Sequence, residues 1–112
     1  MLRAPTILSG EAMNSVIEYT MHVKPGQYET VLEAYVDFAD RFGESNPTED
    51  LILVTGDPTT GVIRGIGVFT SGDEALDVVS AGMFVEFRES VADLLVELPV
   101  RVDLDLVHVF VK

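Results

Sequence analysis

Between Tyr28 and Phe42 the apolar residues Tyr28, Val31, Leu32, Tyr35, Phe38, Ala39 and Phe42 recur at the three- and four-residue spacing of one helical face. Glu29, Glu33, Asp37 and Asp40 fall largely off that face, so the segment is an amphipathic helix that has to be laid on another layer. The residues before it supply one. Ile17, Tyr19, Met21 and Val23 alternate with Glu18, Thr20 and His22, the period of a half-buried strand, and Lys24-Pro25-Gly26 ends it. Gly43 is the expected helix terminator, and Glu44 to Asp50, with Asn46-Pro47, is a loop.

Two short β-branched and aliphatic runs, Leu51 to Thr55 and Val62 to Phe69, flank Gly56-Asp57-Pro58-Thr59-Thr60-Gly61 and predict a hairpin. Ser71 with Glu74 fits a capping box, opening a short helix from Asp73 to Ser80 that Gly82 interrupts. A second stripe at Phe84, Phe87, Val91, Leu94, Leu95 and Leu98 predicts a longer helix before Pro99. The last strand is expected from Val100 towards Lys112, with Val102, Leu104 and Leu106 on one face and Arg101, Asp103 and Asp105 on the other. Residues 1–13 carry Pro5, Ser9 and Gly10 without a sustained period and read as an N-terminal arm, and 14–112 as a single domain. Gly10 and Glu11 interrupt that arm before any long apolar stretch, so it does not read as a signal peptide.

A chain of 112 residues lies within the usual size of one domain, and 47% hydrophobic residues support a packed core despite a formal charge of -12. Nineteen acidic against seven basic side chains repel phosphates, which disfavours nucleic acid and anionic membrane surfaces as partners. No apolar run approaches the roughly 20 residues of a spanning helix, and a cytoplasmic location is the default expectation. Without cysteine there is no disulfide, thiolate nucleophile or thiolate metal site, and two histidines separated by most of the chain are weak grounds for any metal.

The order strand, helix, hairpin, helices, strand resembles a ferredoxin-like split βαβ unit, an α+β fold whose antiparallel sheet has helices on one face. The other face should be polar in a monomer. Yet Val107, Val109 and Val111 are apolar alongside Leu104, Leu106 and Phe110, and Leu51 to Val54 is apolar on both faces. A two-fold related second copy is the simplest cover, so a homodimer is expected; the alternative is that the N-terminal arm folds over its own sheet.

On this element order, on Val23-Lys24-Pro25-Gly26 leading into the first helix, and on Phe69-Thr70-Ser71 leading into Glu74, the chain resembles the dimeric α/β-barrel proteins. Within them it resembles the antibiotic-biosynthesis-monooxygenase-like family, from Asn14 to Lys112. The resemblance implies two ferredoxin-like chains joined sheet to sheet, with a pocket between each chain's own sheet and helices. It implies oxidation of phenolic or quinol-like molecules by dioxygen with no metal or flavin, or, in one branch, haem degradation. Oxygenases of the family use Asn, Trp and either Arg or His in their pockets. This chain has no Trp, and Asn14 is the one position carried over; the final helix has no histidine to serve a haem as axial ligand.

Read on its own alternation, His108 shares a face with Val102, Leu104, Leu106 and Phe110 and should point at the helices, either as a general base or as a structural histidine bonded to a backbone carbonyl. Tyr19, Tyr35, Phe38, Phe84 and Phe87 line an aromatic slot or fill a core, with Phe38 and Phe87 read as core and the hydroxyls of Tyr19 and Tyr35 needing partners if buried. His22, with Glu18 and Thr20, is expected near Arg101, Asp103 and Asp105 in a charged cluster. Gly65 and Gly67 in the second hairpin strand permit close backbone approach or a bulge, and nothing about their neighbours suggests a phosphate loop. The expected function is a cofactor-independent monooxygenase-like enzyme on a small apolar, aromatic or quinol-like molecule, with His108 as base and Asn14, Tyr19, Tyr35 and Phe84 as ligand-binding residues. The alternative is a non-catalytic homodimeric module that binds a small ligand or is purely structural. An open cavity holding His108 and a tyrosine hydroxyl would favour the first, and a slot filled by Phe38, Phe84 and Phe87 the second.

Overall fold

A computed structural model describes residues 15–45, 49–69 and 78–112. The N-terminal arm, Asn14, and the Ser71–Glu74 capping box with its short helix up to residue 77 lie outside the described residues.

Strand β1 (Ser15–His22) buries Ile17, Tyr19 and Met21 in alternation, as its sequence period demands. Pro25-Gly26 turns the chain, with Gly26 at φ 85, into helix α1 (Tyr28–Ser45). There Val31, Tyr35, Phe38, Ala39 and Phe42 form the buried stripe. Gly43 does not end this helix, which runs two residues further; one glycine costs about 1 kcal/mol, less than the stripe's burial returns.

Strands β2 (Glu49–Asp57) and β3 (Val62–Phe69) form the expected hairpin. Asp57 Oδ1 accepts the Thr59 N–H at 2.9 Å, and the Gly61 N–H donates to the Asp57 carbonyl at 2.8 Å. Gly61 needs no side chain here, because its φ is 77 and its carbonyl takes the Val23 N–H at 2.8 Å.

Helix α2 (Val78–Val91) passes through Gly82 unbroken, contrary to the expected interruption, and Gly82 is exposed with open space around it. The helix also stops well short of Leu98. A 3-10 turn (Ala92–Leu94) follows, and the next backbone groups go to the end of β1. The Lys24 N–H donates to the Leu94 carbonyl at 2.9 Å, and the Val96 N–H to the His22 carbonyl at 2.7 Å. Tertiary bonding thus takes the donor that another helical turn would have used.

Strand β4 (Val100–Asp105) is shorter than its apolar sequence implies. Its ladder on β1 runs from Val100 opposite Thr20 to Asp105 opposite Ser15, and residues 106–112 leave the sheet. The four strands lie in the order β2-β3-β1-β4, each neighbouring pair antiparallel, which with α1 and α2 makes the ferredoxin-like β-α-β-β-α-β arrangement.

Cross-strand register reverses the expected faces of β4. Directly opposed residues share a face, and Arg101 lies opposite buried Tyr19, Asp103 opposite buried Ile17. The polar set therefore stands on the helix side, at an edge the helices leave wet, and Arg101 Nε pairs with Asp103 there at 2.8 Å. Val100, Val102 and Leu104 lie with Thr20, Glu18 and Val16 on the helix-free face. His22 shares that face with Glu18 and Thr20, so the predicted cluster of His22 with Arg101, Asp103 and Asp105 does not form.

Candidate functional site

Two rows of side chains cross the sheet beneath the helices. One runs Val54, Gly65, Tyr19, Arg101; the other runs Ile52, Gly67, Ile17, Asp103. In each row β3 contributes a glycine, so the middle of the sheet is hollow on its helix side. The Tyr35 hydroxyl descends from α1 into that hollow and lies against Gly65, where a β-carbon would overlap it. Gly65→Ala is expected to cost about 1–3 kcal/mol by overpacking, read as a lower urea midpoint with an unchanged slope. An unchanged midpoint would mean that the Tyr35 ring moves aside freely.

Around the hollow the helices place rings in mutual contact. Tyr19 and Tyr35 stack with centroids 6.2 Å apart, and Phe84 meets Tyr19 edge-on at 5.2 Å. Phe84 also meets Phe38 at 5.2 Å and Phe42 at 5.4 Å, both edge-on, and Phe69 closes the β3 side against Phe42. Among the described residues the side chains of the lining are apolar apart from the two tyrosine hydroxyls. The cavity left is about 30 Å³, room for a water or two and not for an aromatic ring.

Of the sequence-predicted site residues, Tyr19, Tyr35 and Phe84 come together here. His108 does not: it lies three residues past the end of β4 and is exposed, so the chain beyond the ladder does not carry it to the helices. Asn14 lies outside the described residues. Phe38 and Phe42, from the core stripe, line the site as well, and Gly65 and Gly67 form its floor. The alternating glycines were the legible sign of that floor.

Tyr19 is 4% exposed, and its hydroxyl has no hydrogen-bond partner among the described residues. Burial pushes its phenol above the ordinary value of 10.0, while the Arg88 guanidinium pulls the other way. Arg88 follows Phe84 by one helical turn on α2, a spacing visible in the sequence but without meaning until Tyr19 is placed beneath it. Both effects considered, burial prevails and the Tyr19 phenol holds its proton more firmly than an exposed tyrosine does.

The folded phenol keeps its proton to higher pH than the unfolded one. The unfolded chain ionises first as pH passes 10.0, so this contribution to stability is complete below that value and is lost above it. Between about pH 9 and about pH 11 the wild-type protein should therefore lose more stability than Tyr19→Phe, measured as the difference in urea midpoints. Equal losses would contradict the burial of the phenol.

No protein-family model and no curated protein sequence matches this chain. Among solved structures it is similar to one named "putative antibiotic biosynthesis monooxygenase" from Caulobacter crescentus, at 20% identity and a TM-score of 0.73 over 93% of this chain and 99% of that one. Another of the same name, from Nitrosomonas europaea, aligns at 14% identity and a TM-score of 0.73 over 88% and 94%. A protein of unknown function from Nitrosomonas europaea aligns at 13% identity and a TM-score of 0.67 over 92% and 98%. At such identities a likeness carries architecture and not chemistry. The chain therefore has, over most of its length, the ferredoxin-like α+β fold of structures named for antibiotic biosynthesis monooxygenases.

Proposed function

We propose that this protein is a homodimeric, antibiotic-biosynthesis-monooxygenase-like oxygenase that oxidises a small quinol-like ring with dioxygen, without a cofactor. The observation that carries the reading is the buried Tyr19 hydroxyl, unpartnered among the described residues, in an apolar, ring-lined pocket. A phenol in such surroundings is a preorganised donor to an oxygen atom that gains charge as a quinol gives up electrons. The reaction balances without another reductant: quinol plus dioxygen yields hydroxyquinone plus water. One oxygen atom enters the ring, the other leaves as water, and all four electrons come from the quinol.

A second reading has its own support. Phe38, Phe84 and Phe87 pack together and leave only about 30 Å³, His108 is exposed outside the pocket, and the described lining contains no base, which is the filled slot expected of a module that binds a ring without transforming it or is purely structural. An oxygen electrode separates the two. With a hydroquinone as substrate, the wild-type protein should consume dioxygen well above autoxidation, and Tyr19→Phe should lose about a hundredfold in rate, the usual cost of removing one donor to a developing oxyanion. Quinol binding without uptake would leave the binding module; uptake indifferent to Tyr19 would sink the pocket as the place of reaction.

A further inference from the structure

The cavity has a peculiarity that the proposed oxidation does not absorb: its ring-lined volume is already occupied by a ring of the protein. Tyr19, Phe38 and Phe42 are 4%, 3% and 2% exposed, whereas Phe84, which touches all three edge-on, is only half-buried. Phe84 is thus the outermost ring of the cluster, on a helix whose neighbouring Gly82 has open space around it.

We propose that the Phe84 phenyl occupies the ligand's own ring site and decides what enters, and that when it swings out its place is taken by the ring of a one-ring phenol or phenolate whose oxygen accepts from the Tyr19 hydroxyl. The inference rests on reading this pocket as a ligand site and names the class of ligand it holds.

Three observations converge on that class. Edge-on contacts from Tyr19, Phe38 and Phe42 form a cradle that one six-membered ring fills, so a larger fused system would need more than the displacement of one side chain. A buried hydroxyl without a partner among the described residues carries an unrecovered desolvation cost, which a ligand oxygen at that spot removes. Arg88, one turn beyond Phe84, makes no ion pair among the described residues, and its charge is felt at Tyr19. In a chain with only seven Lys and Arg against nineteen Asp and Glu, a cation unpaired among the described residues whose charge reaches the Tyr19 hydroxyl favours an oxygen bearing negative charge. Of the other β4 charges on this side of the sheet, Arg101 and Asp103 are paired with each other, and Asp105 stands at the far end of the ladder opposite Ser15.

Removing the plug tests the idea. Binding of 4-fluorophenol, followed by fluorine NMR, is expected to be about tenfold or more tighter to Phe84→Ala than to the wild-type protein, because a phenyl-sized apolar cavity replaces the phenyl. In the Phe84→Ala background, Tyr19→Phe should give back about tenfold, the range of one hydrogen bond to an oxygen carrying charge. Phe84→Leu, which keeps an apolar side chain on the helix, should bind with intermediate affinity and serves where the alanine variant does not melt cooperatively. Affinity no better than wild type in both Phe84 variants overturns the plug. Equal affinity for fluorobenzene and 4-fluorophenol in the opened protein overturns the Tyr19 anchor. The proposed oxidation stands or falls separately: dioxygen uptake by the wild-type protein with no gain in phenol binding in the variants refutes only the plug, and tight phenol binding with no uptake by any form refutes only the oxygenase.

Discussion

Phe38→Ala should lower the free energy of unfolding by about 3–5 kcal/mol, the range for deleting a buried aromatic side chain. Phe38 is 3% exposed and stands at the centre of the ring cluster. It stacks on Phe87 at 4.8 Å and on Tyr35 at 5.9 Å, and it meets Phe42 at 5.4 Å and Phe84 at 5.2 Å. These rings come from both helices, so the cavity left by alanine cannot be closed by moving either helix alone. A domain of this size has about 5–15 kcal/mol in all, so the variant should sit near the edge of folding at room temperature. Urea denaturation followed by far-ultraviolet circular dichroism reads the loss. Val36→Ala, on the same helix but 44% exposed, is the control and should change stability by about 0.5 kcal/mol or less. A Phe38→Ala loss as small as the control's would mean that α1 and α2 are held together elsewhere.

The second large effect is on assembly. On the helix-free face of the sheet, Leu51, Leu53, Val100, Val102 and Leu104 are 41–52% exposed, and cross-strand register places Val16, Ile66 and Val68 among them. Such a patch, spanning all four strands, is what two copies would hide by meeting face to face. Past β4, Val107, Phe110 and Val111 are 87%, 77% and 69% exposed, so this segment too is uncovered in the single chain. Native mass spectrometry should find the wild-type protein at twice 12.2 kDa. Leu53→Lys with Val102→Lys should move it to the single-chain mass, because each dimer would then bury four unpaired ammonium groups, weakening association by about a thousandfold or more. Both positions are open to solvent in the single chain, so the variant's circular dichroism should match wild type. A wild-type protein that is itself a monomer would remove this account of the sheet face.

Much of this architecture could be read from local pattern. The stripe from Tyr28 to Phe42, the alternation from Ile17 to Met21, and the turn between Thr55 and Val62 each commit a segment to one kind of element, because burial of one face and the needs of a turn act over a few neighbouring residues. Those signals were enough for the element order and for the ferredoxin-like fold. They also brought Tyr19, Tyr35 and Phe84 to one side of the sheet, since each lies on the apolar face of its own element.

Other features had no local signal. Val102 and Leu104 are apolar, and sequence reasoning turned them towards the helices; pairing with β1 turns them away, because register, not composition, sets the face of an edge strand. His108 went with them, and was lost as a base when the ladder ended at Asp105. The helix end after Val91 likewise depends on hydrogen bonds to His22 and Lys24, some seventy residues earlier in the chain. By itself, then, the sequence determined which segments are helix or strand and which face of α1 is buried, since those follow from interactions between near neighbours. The tertiary structure alone decided the face of β4, the hollow above Gly65 and Gly67, and the burial of the Tyr19 hydroxyl. Each of these depends on which distant residue stands opposite, and that is set only when the sheet closes.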